Sequence, residues 1–455
     1  MVKRAIILLL VCIFAISMVM AGCGAKSQTA GSAEEETKTE TKTEEAKNEE
    51  PKPIGDGKPV SLNFWTFQEL HKAFMDDAVT TWNKANSGRT IELKTEVYPY
   101  DEMHNKLLIS LQSGIGAPDI TDIEISKYAN YLKGTPGLVP LNNVVEPVLD
   151  KMIKARFDNY SKDGKYYGID YHVGATVTYY NKEILDKAGV KVDDIKTWDN
   201  FVEAGKKVLA STGKPMTTIE VTDQWTFYPM ISQRGSDFLD KDGNVTIDND
   251  ANLKTLEFLK KMMEDKVAVA APAGFHHSEE YYAFMNNGGA ASITMPAWYM
   301  GRFVQYMPDL KGKIVIAPMP AWEEGGMRSA GMGGTGTSVT VQSKNQELAI
   351  EFLAYAKMSR EGAIKTWTVL GFDPIRWDVW DAPEMKSDNQ YTDYFGKEIF
   401  TILLQVKDQI NPINVSEKFP KSCDLVKKDI LFKSLKEGSQ TPEQALKAAA
   451  AELKK

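Results

Sequence analysis

The stretch from Val60 to Ile123 constrains the fold more than any other, because its hydrophobic period switches repeatedly between that of a strand and that of a helix. Val60-Ser61-Leu62-Asn63-Phe64-Trp65 alternates apolar and polar residues, the period of a half-buried strand. His71 to Ala85 has helical spacing, and Thr90 to Val97 alternates again through Ile91, Leu93, Thr95 and Val97. Asp101 to Ser113 puts Met103, Leu107, Leu108 and Leu111 on one helical face. Gly114 to Pro118 breaks that helix, and Asp119 to Ile123 reads as a short buried strand. Strand–helix–strand–helix–strand is the α/β pattern with a largely parallel sheet. Ligands of such sheets sit outside the carboxyl ends of the strands. Those ends carry Trp65, Phe67 and Glu69 after the first strand, and Asp122 and Glu124 after the third.

One such unit does not account for 455 residues, which call for two or three core-forming units. A net charge of −8 argues against a nucleic-acid partner, whose phosphates need a basic surface. Three cysteines exclude a disulfide scaffold and a zinc ribbon, and five histidines make a His-rich metal site unexpected. No metal or cofactor is expected.

The N-terminus reads as an address. Lys3 and Arg4 precede an apolar run from Ala5 to Met20, closed by Ala21-Gly22-Cys23-Gly24, the pattern of a secretory signal over residues 1–22. The run is short for a spanning helix. Met20-Ala21-Gly22-Cys23 resembles a bacterial lipobox, which implies lipidation of Cys23. Cys12 would leave with the signal, so Cys423 would have no disulfide partner within the chain. Residues 23–57 are small, polar and acidic, with Glu, Lys and Thr alternating from Glu34 to Glu50. Such a segment cannot bury a core and is expected to be a disordered tether. Extended, it could reach on the order of 100 Å.

Beyond the first unit, Tyr166 to Tyr171, Ala175 to Tyr180, Ala290 to Met295, Ile314 to Pro318 and Thr337 to Val341 read as strands. Helices are expected over Asn181–Ala188, from Thr197 as N-cap, over Asn249–Lys266, Glu279–Asn287 and Gln346–Met358, and over Thr441–Leu453 behind a capping box. Several pieces together resemble the extracellular solute-binding proteins of family 1. They are Asp163-Gly-Lys-Tyr-Tyr-Gly-Ile-Asp-Tyr171, Thr178-Tyr-Tyr-Asn-Lys182, Leu185-Asp-Lys-Ala-Gly189 and Thr197-Trp198. Tyr282-Ala-Phe-Met-Asn-Asn-Gly288, Ala290-Ala-Ser-Ile-Thr-Met295, Gly336-Thr-Ser-Val-Thr-Val341 and Leu348-Ala-Ile-Glu-Phe-Leu353 continue the likeness over residues 58–455. The resemblance implies a two-lobed α/β fold of the flytrap type, each lobe a mainly parallel sheet flanked by helices. By that analogy residues 58–170 and 305–340 form the N-terminal lobe, and 171–304 and 341–455 the C-terminal lobe. The chain would cross between lobes near Ile169–Tyr171, Arg302–Lys313 and Val341–Gln346.

The function so implied is capture of a sugar, expected to be an oligosaccharide, by a monomeric lipoprotein on the extracellular face of a bacterial, Gram-positive cell membrane. It would pass the sugar to the permease subunits of an ATP-binding cassette importer with its ATPase. A sugar offers a C–H face that an indole covers and hydroxyls that carboxylates and amides satisfy. Trp65, Trp225, Trp298 and Trp377 are therefore expected to touch ligand, with Tyr171 and Tyr299, while Trp82 and Trp198 sit in helices and are assigned to packing. Asp122, Glu124 and Glu69 are expected to accept from hydroxyls. Gly331-Met-Gly-Gly-Thr-Gly336 precedes a strand and lacks a P-loop lysine, so Gly333 and Gly334 are read as a close backbone approach to the cleft. Asp240, Asp242 and Asn244 start like a calcium loop, but Val245 and Ala251 occupy its glycine and glutamate positions, leaving a hairpin turn. His276-His277 lacks zinc spacing and reads as a loop. Two alternatives remain open on the residues: a secreted glycoside hydrolase, and the same scaffold holding a polyamine or peptide.

Overall fold

The computed structural model describes residues 58–455; the signal, Cys23 and the tether lie outside the described residues. The first sheet follows the expected alternation. β1 (Val60–Thr66) buries Leu62 and Phe64, α1 (Glu69–Ala85) buries Phe74, Met75, Ala78 and Trp82, and β2 (Ile91–Val97) pairs with β1 in parallel. α2 (Tyr100–Ser113) stops at Gly114, whose φ of 77° is left-handed and suits glycine. β3 (Ile120–Glu124) also runs parallel to β1, with Phe64 opposite Ile120.

The expected strand over Tyr166–Tyr171 does not form. Lys165–Tyr166 makes only a short hairpin with Ser161–Lys162, and Ile169 makes a single bridge to Thr337. Beyond it, the backbone is captured by carboxylates instead of a neighbouring strand. Asp170 accepts from its neighbour's amide, and Asp373 accepts from the amides of Gly174 and Ala175.

The second sheet centres on β4 (Thr176–Asn181). After α3 (Trp198–Thr212), which opens on a capping box between Thr197 and Asn200, the chain returns as β5 (Ser292–Pro296), antiparallel to β4. α4 (Met300–Tyr306) follows, and β6 (Ile314–Pro318) pairs antiparallel with the other edge of β4. This sheet is thus antiparallel where a mainly parallel one is expected; parallel pairing survives beside it, between Thr217–Ile219 and Ala268–Ala270. β7 (Thr335–Val339) closes the first sheet antiparallel to β3, giving the order β7-β3-β1-β2.

Two parts of the expected lobe division are corrected by these pairings. Ile314–Pro318 belongs to the second sheet, because β4 has a free edge that it completes. α5 (Gln346–Met358) and α6 (Arg360–Leu370) pack on the first sheet: Leu348, Phe352, Leu353 and Leu370 share a core with Leu62, Phe64, Phe74 and Trp82. The segments that run together between the sheets are accordingly 168–175, 329–335 and 371–376. Val173 donates to the Asp373 carbonyl at 2.9 Å and Met332 to the Gly174 carbonyl at 3.0 Å. Only the first of the three expected crossings matches. Asp240 spends its carboxylate on the amides of Asp242 and Asn244, as a turn residue does.

Candidate functional site

A cavity of about 680 Å³ opens where the ends of β1 and β3 approach the residues following β5. Such a volume suits a ligand of several rings. One wall is aromatic. The indoles of Trp225 and Trp298 stand nearly perpendicular, 82° apart with centroids at 5.1 Å, and His277 stacks against Trp298 at 5.6 Å. The buried carboxylate of Glu220 fixes this wall by accepting from the Trp225 amide and the His276 amide, both at 2.8 Å. Burial, with Asp223 nearby, pushes the Glu220 pKa well above the usual carboxylate range.

The facing wall carries Phe67 and Tyr100, edge-to-face at 5.2 Å. The Tyr100 hydroxyl donates to Glu124 at 2.8 Å, and the Ser126 amide donates to the same oxygen at 2.9 Å. Burial raises the Glu124 pKa, and the bonds from Ser126 and the charge of Lys427 offset only part of that rise. α7 (Phe419–Leu425) and the π-helical turn after it supply Cys423 and Lys427. Lys427 Nζ lies 3.2 Å from Asp223. Burial alone would lower the Lys427 pKa, but Asp223 outweighs it and holds the ammonium charged. Acids and bases thus interleave around the cavity, an arrangement that offers acceptors and donors to hydroxyls, which need both.

The third side is backbone. Gly333 packs against both indoles: a Cβ there would lie 3.1 Å from Trp298 Nε1 and 3.3 Å from Trp225. Gly334, at φ 146°, could not carry a side chain, since a Cβ would sit 2.3 Å from Arg156 Nη2 and 2.4 Å from the Tyr160 hydroxyl. Arg156 itself is fully buried. It donates to Asp170 through Nε at 3.0 Å and to the Gly333 carbonyl at 2.5 Å, while the Thr335 amide donates to Asp170 at 3.0 Å.

A family model described as bacterial extracellular solute-binding protein matches residues 65–358. The chain belongs to that family. Family membership makes it an extracellular solute-binding protein rather than an enzyme. It is 51% identical to the arabinooligosaccharide-binding protein of Bacillus subtilis strain 168 over 99% of both chains. It is 52% identical to the protein of the same name from Halalkalibacterium halodurans, over 88% of this chain and 91% of the other. In fold it matches the GacH receptor of Streptomyces glaucescens GLA.O with a TM-score of 0.71 at 21% identity, over 86% of this chain and 97% of that one. The α/β architecture is therefore a two-lobed one, with the cavity between the sheets.

Within this family member, the expected contact residues divide sharply. Phe67, Glu124, Trp225, Trp298, Gly333 and Gly334 line the cavity. Trp65 does not: it is packed in the core against Tyr98, its indole N–H donating to Glu96 at 3.2 Å. Asp122 is buried behind the wall, accepting from Thr66 at 2.7 Å and Thr337 at 2.6 Å and lying 2.9 Å from His71 Nδ1. Although burial would raise its pKa, His71 and Lys357 hold it below the ordinary value. Tyr171 stacks on His71 at 4.1 Å inside the core, and the Tyr299 hydroxyl donates to the His276 carbonyl. Glu69 is exposed at the start of α1, and Trp377, 44% exposed, donates to the Asp150 carbonyl. Neither is among the cavity residues.

Tyr100, His277, Arg302, Phe372 and Lys427 line the cavity without having been singled out as ligand contacts. His277 does lie in a loop, as expected, but a loop carried to the cavity by Glu220. Lys427 had no local signal at all, being brought in by the π-helical turn after α7, a helix that packs on the short helical segments following β3.

Proposed function

We propose that this protein captures an arabinose oligosaccharide outside the membrane and passes it to the permease and ATPase of an ATP-binding cassette importer. The observation that carries the reading is the corner formed by Trp225 and Trp298, facing a rim of paired acids and bases in a cavity large enough for several sugar rings. An indole corner covers apolar sugar faces while the rim satisfies hydroxyls. The names of the two relatives above half identity support arabinose as the sugar. A polyamine would need unpaired carboxylates, whereas Asp223 is held by Lys427 and Asp101 by Lys127. The protein works as a monomer, anchored through lipid on Cys23, and mass spectrometry of the mature N-terminus tests that anchor: an unmodified Cys23 would refute it.

A thermal-shift screen tests the sugar. Ligand at a hundredfold its Kd adds about 2.7 kcal/mol of stability. Linear arabino-oligosaccharides should raise the melting temperature, and malto-oligosaccharides, polyamines and peptides should raise it less. A larger shift with any of those controls would reassign the substrate.

A further inference from the structure

We propose that Tyr306, stacked on Tyr282, forms an outer sugar subsite that takes the end of an oligosaccharide protruding from the cavity. The proposal rests on the oligosaccharide reading above and extends it to chain length.

The argument starts from helical spacing. Trp298 stands just before α4, and Gly301 and Arg302, in the first turn of α4, line the cavity. Tyr306 is one turn beyond Arg302, and residues four apart share a helix face. The face that leaves the cavity through Arg302 therefore leads to Tyr306. At 1.5 Å of rise per residue, Tyr306 lies about 6 Å along the axis beyond Arg302. The path is open at its start, because a Cβ at Gly301 would meet nothing within 4 Å.

What waits there is a flat, backed surface. The Tyr306 and Tyr282 rings are parallel to within 2°, with centroids 4.5 Å apart. Tyr282 is only 8% exposed and belongs to the second core, whereas Tyr306 is 39% exposed. One face of Tyr306 is thus held by its partner and the other is offered outward. The helix Glu279–Asn286, which carries Tyr282, is tied to the turn that follows α4, since Asn286 and Asp309 exchange hydrogen bonds of 2.8 and 3.0 Å. A ring fixed before the ligand arrives loses little entropy on stacking.

Calorimetric titration with linear arabinotriose and arabinohexaose, on the wild type, Tyr306→Ala and Tyr306→Phe, tests the proposal. The wild type should bind the hexasaccharide tighter than the trisaccharide. Tyr306→Ala should weaken the hexasaccharide by roughly three- to tenfold and leave the trisaccharide unchanged, as one stacking contact is lost. Tyr306→Phe should keep the wild-type affinities for both. An unchanged hexasaccharide Kd in Tyr306→Ala, or equal losses for both lengths, would overturn the subsite while leaving the sugar reading standing. Absence of wild-type binding at either length would remove both.

Discussion

At the scale of single residues, Trp298 separates the ligand-contact role from the packing role most cleanly. Its indole is half-buried, with His277 against one side and Gly333 beside its nitrogen, so part of its surface is left for a ligand. Full burial of a large apolar side chain is worth about 1.5–3 kcal/mol, and 1.4 kcal/mol is tenfold in affinity. Trp298→Ala should therefore weaken sugar binding by roughly ten- to a hundredfold with a small change in melting temperature, as calorimetry and a thermal melt would show. A collapse of stability without loss of affinity would return Trp298 to the core. Residue by residue, legibility depended on where a strand stops. Side chains within a strand point to the sheet faces, so Trp65 and Asp122, still inside β1 and β3, are packed on those faces. Phe67, just past β1, and Glu124, the last residue of β3, reach the open end. Identifying strand ends from sequence to within a residue or two therefore mixes packed positions with ligand-facing ones.

At the scale of elements, helix ends are set by neighbours in sequence, whereas strand partners are set by the rest of the fold. The N-cap at Thr197, the capping box at Thr441 and the α5 boundaries, Gln346–Met358, depend on neighbours in sequence and stand where expected. The partner of β6 depends on which sheet edge is free after folding, a fact absent from its own residues. The clasp of Arg156 and Asp170 is of the same kind. Fourteen positions apart, they meet beneath the glycine segment and join it to the start of the 168–175 connection. Burial would raise the Asp170 pKa, but Arg156 overrides it and holds the carboxyl at about 2, against about 3.9 in an unfolded chain. A depressed carboxylate pKa contributes stability that is complete above the unfolded value and is lost as pH falls from about 4 to about 2. The shift corresponds to roughly 2–3 kcal/mol. Asp170→Asn, which strands the buried guanidinium, should cost about 3–5 kcal/mol at neutral pH. Denaturant melts from pH 6 to pH 2 should show the gap between wild type and variant narrowing below pH 4; a constant gap would mean that Asp170 is not ionised in the fold.

At the scale of the whole molecule, three short connections between two sheet-centred lobes allow one lobe to rotate against the other, and residues from both lobes line the cavity. Closure on ligand follows if the sugar contacts both walls and so binds the closed form better than the open one. Small-angle scattering should give a smaller radius of gyration at saturating sugar than without it, and an unchanged radius would argue for a fixed cavity. The two-lobed class was legible in the first strand–helix alternation and in the family likeness. Which C-terminal helices complete which lobe was not, because α5, α6 and α7 all carry ordinary amphipathic faces. The central claim is that an arabinose oligosaccharide occupies the cavity at the Trp225–Trp298 corner. Titration calorimetry of arabinohexaose into the wild type and into the Trp225→Ala, Trp298→Ala double variant tests it most directly. One saturable site per chain in the wild type, and at least a hundredfold loss in a double variant that still melts cooperatively, is the predicted result; the same Kd in both proteins would contradict it.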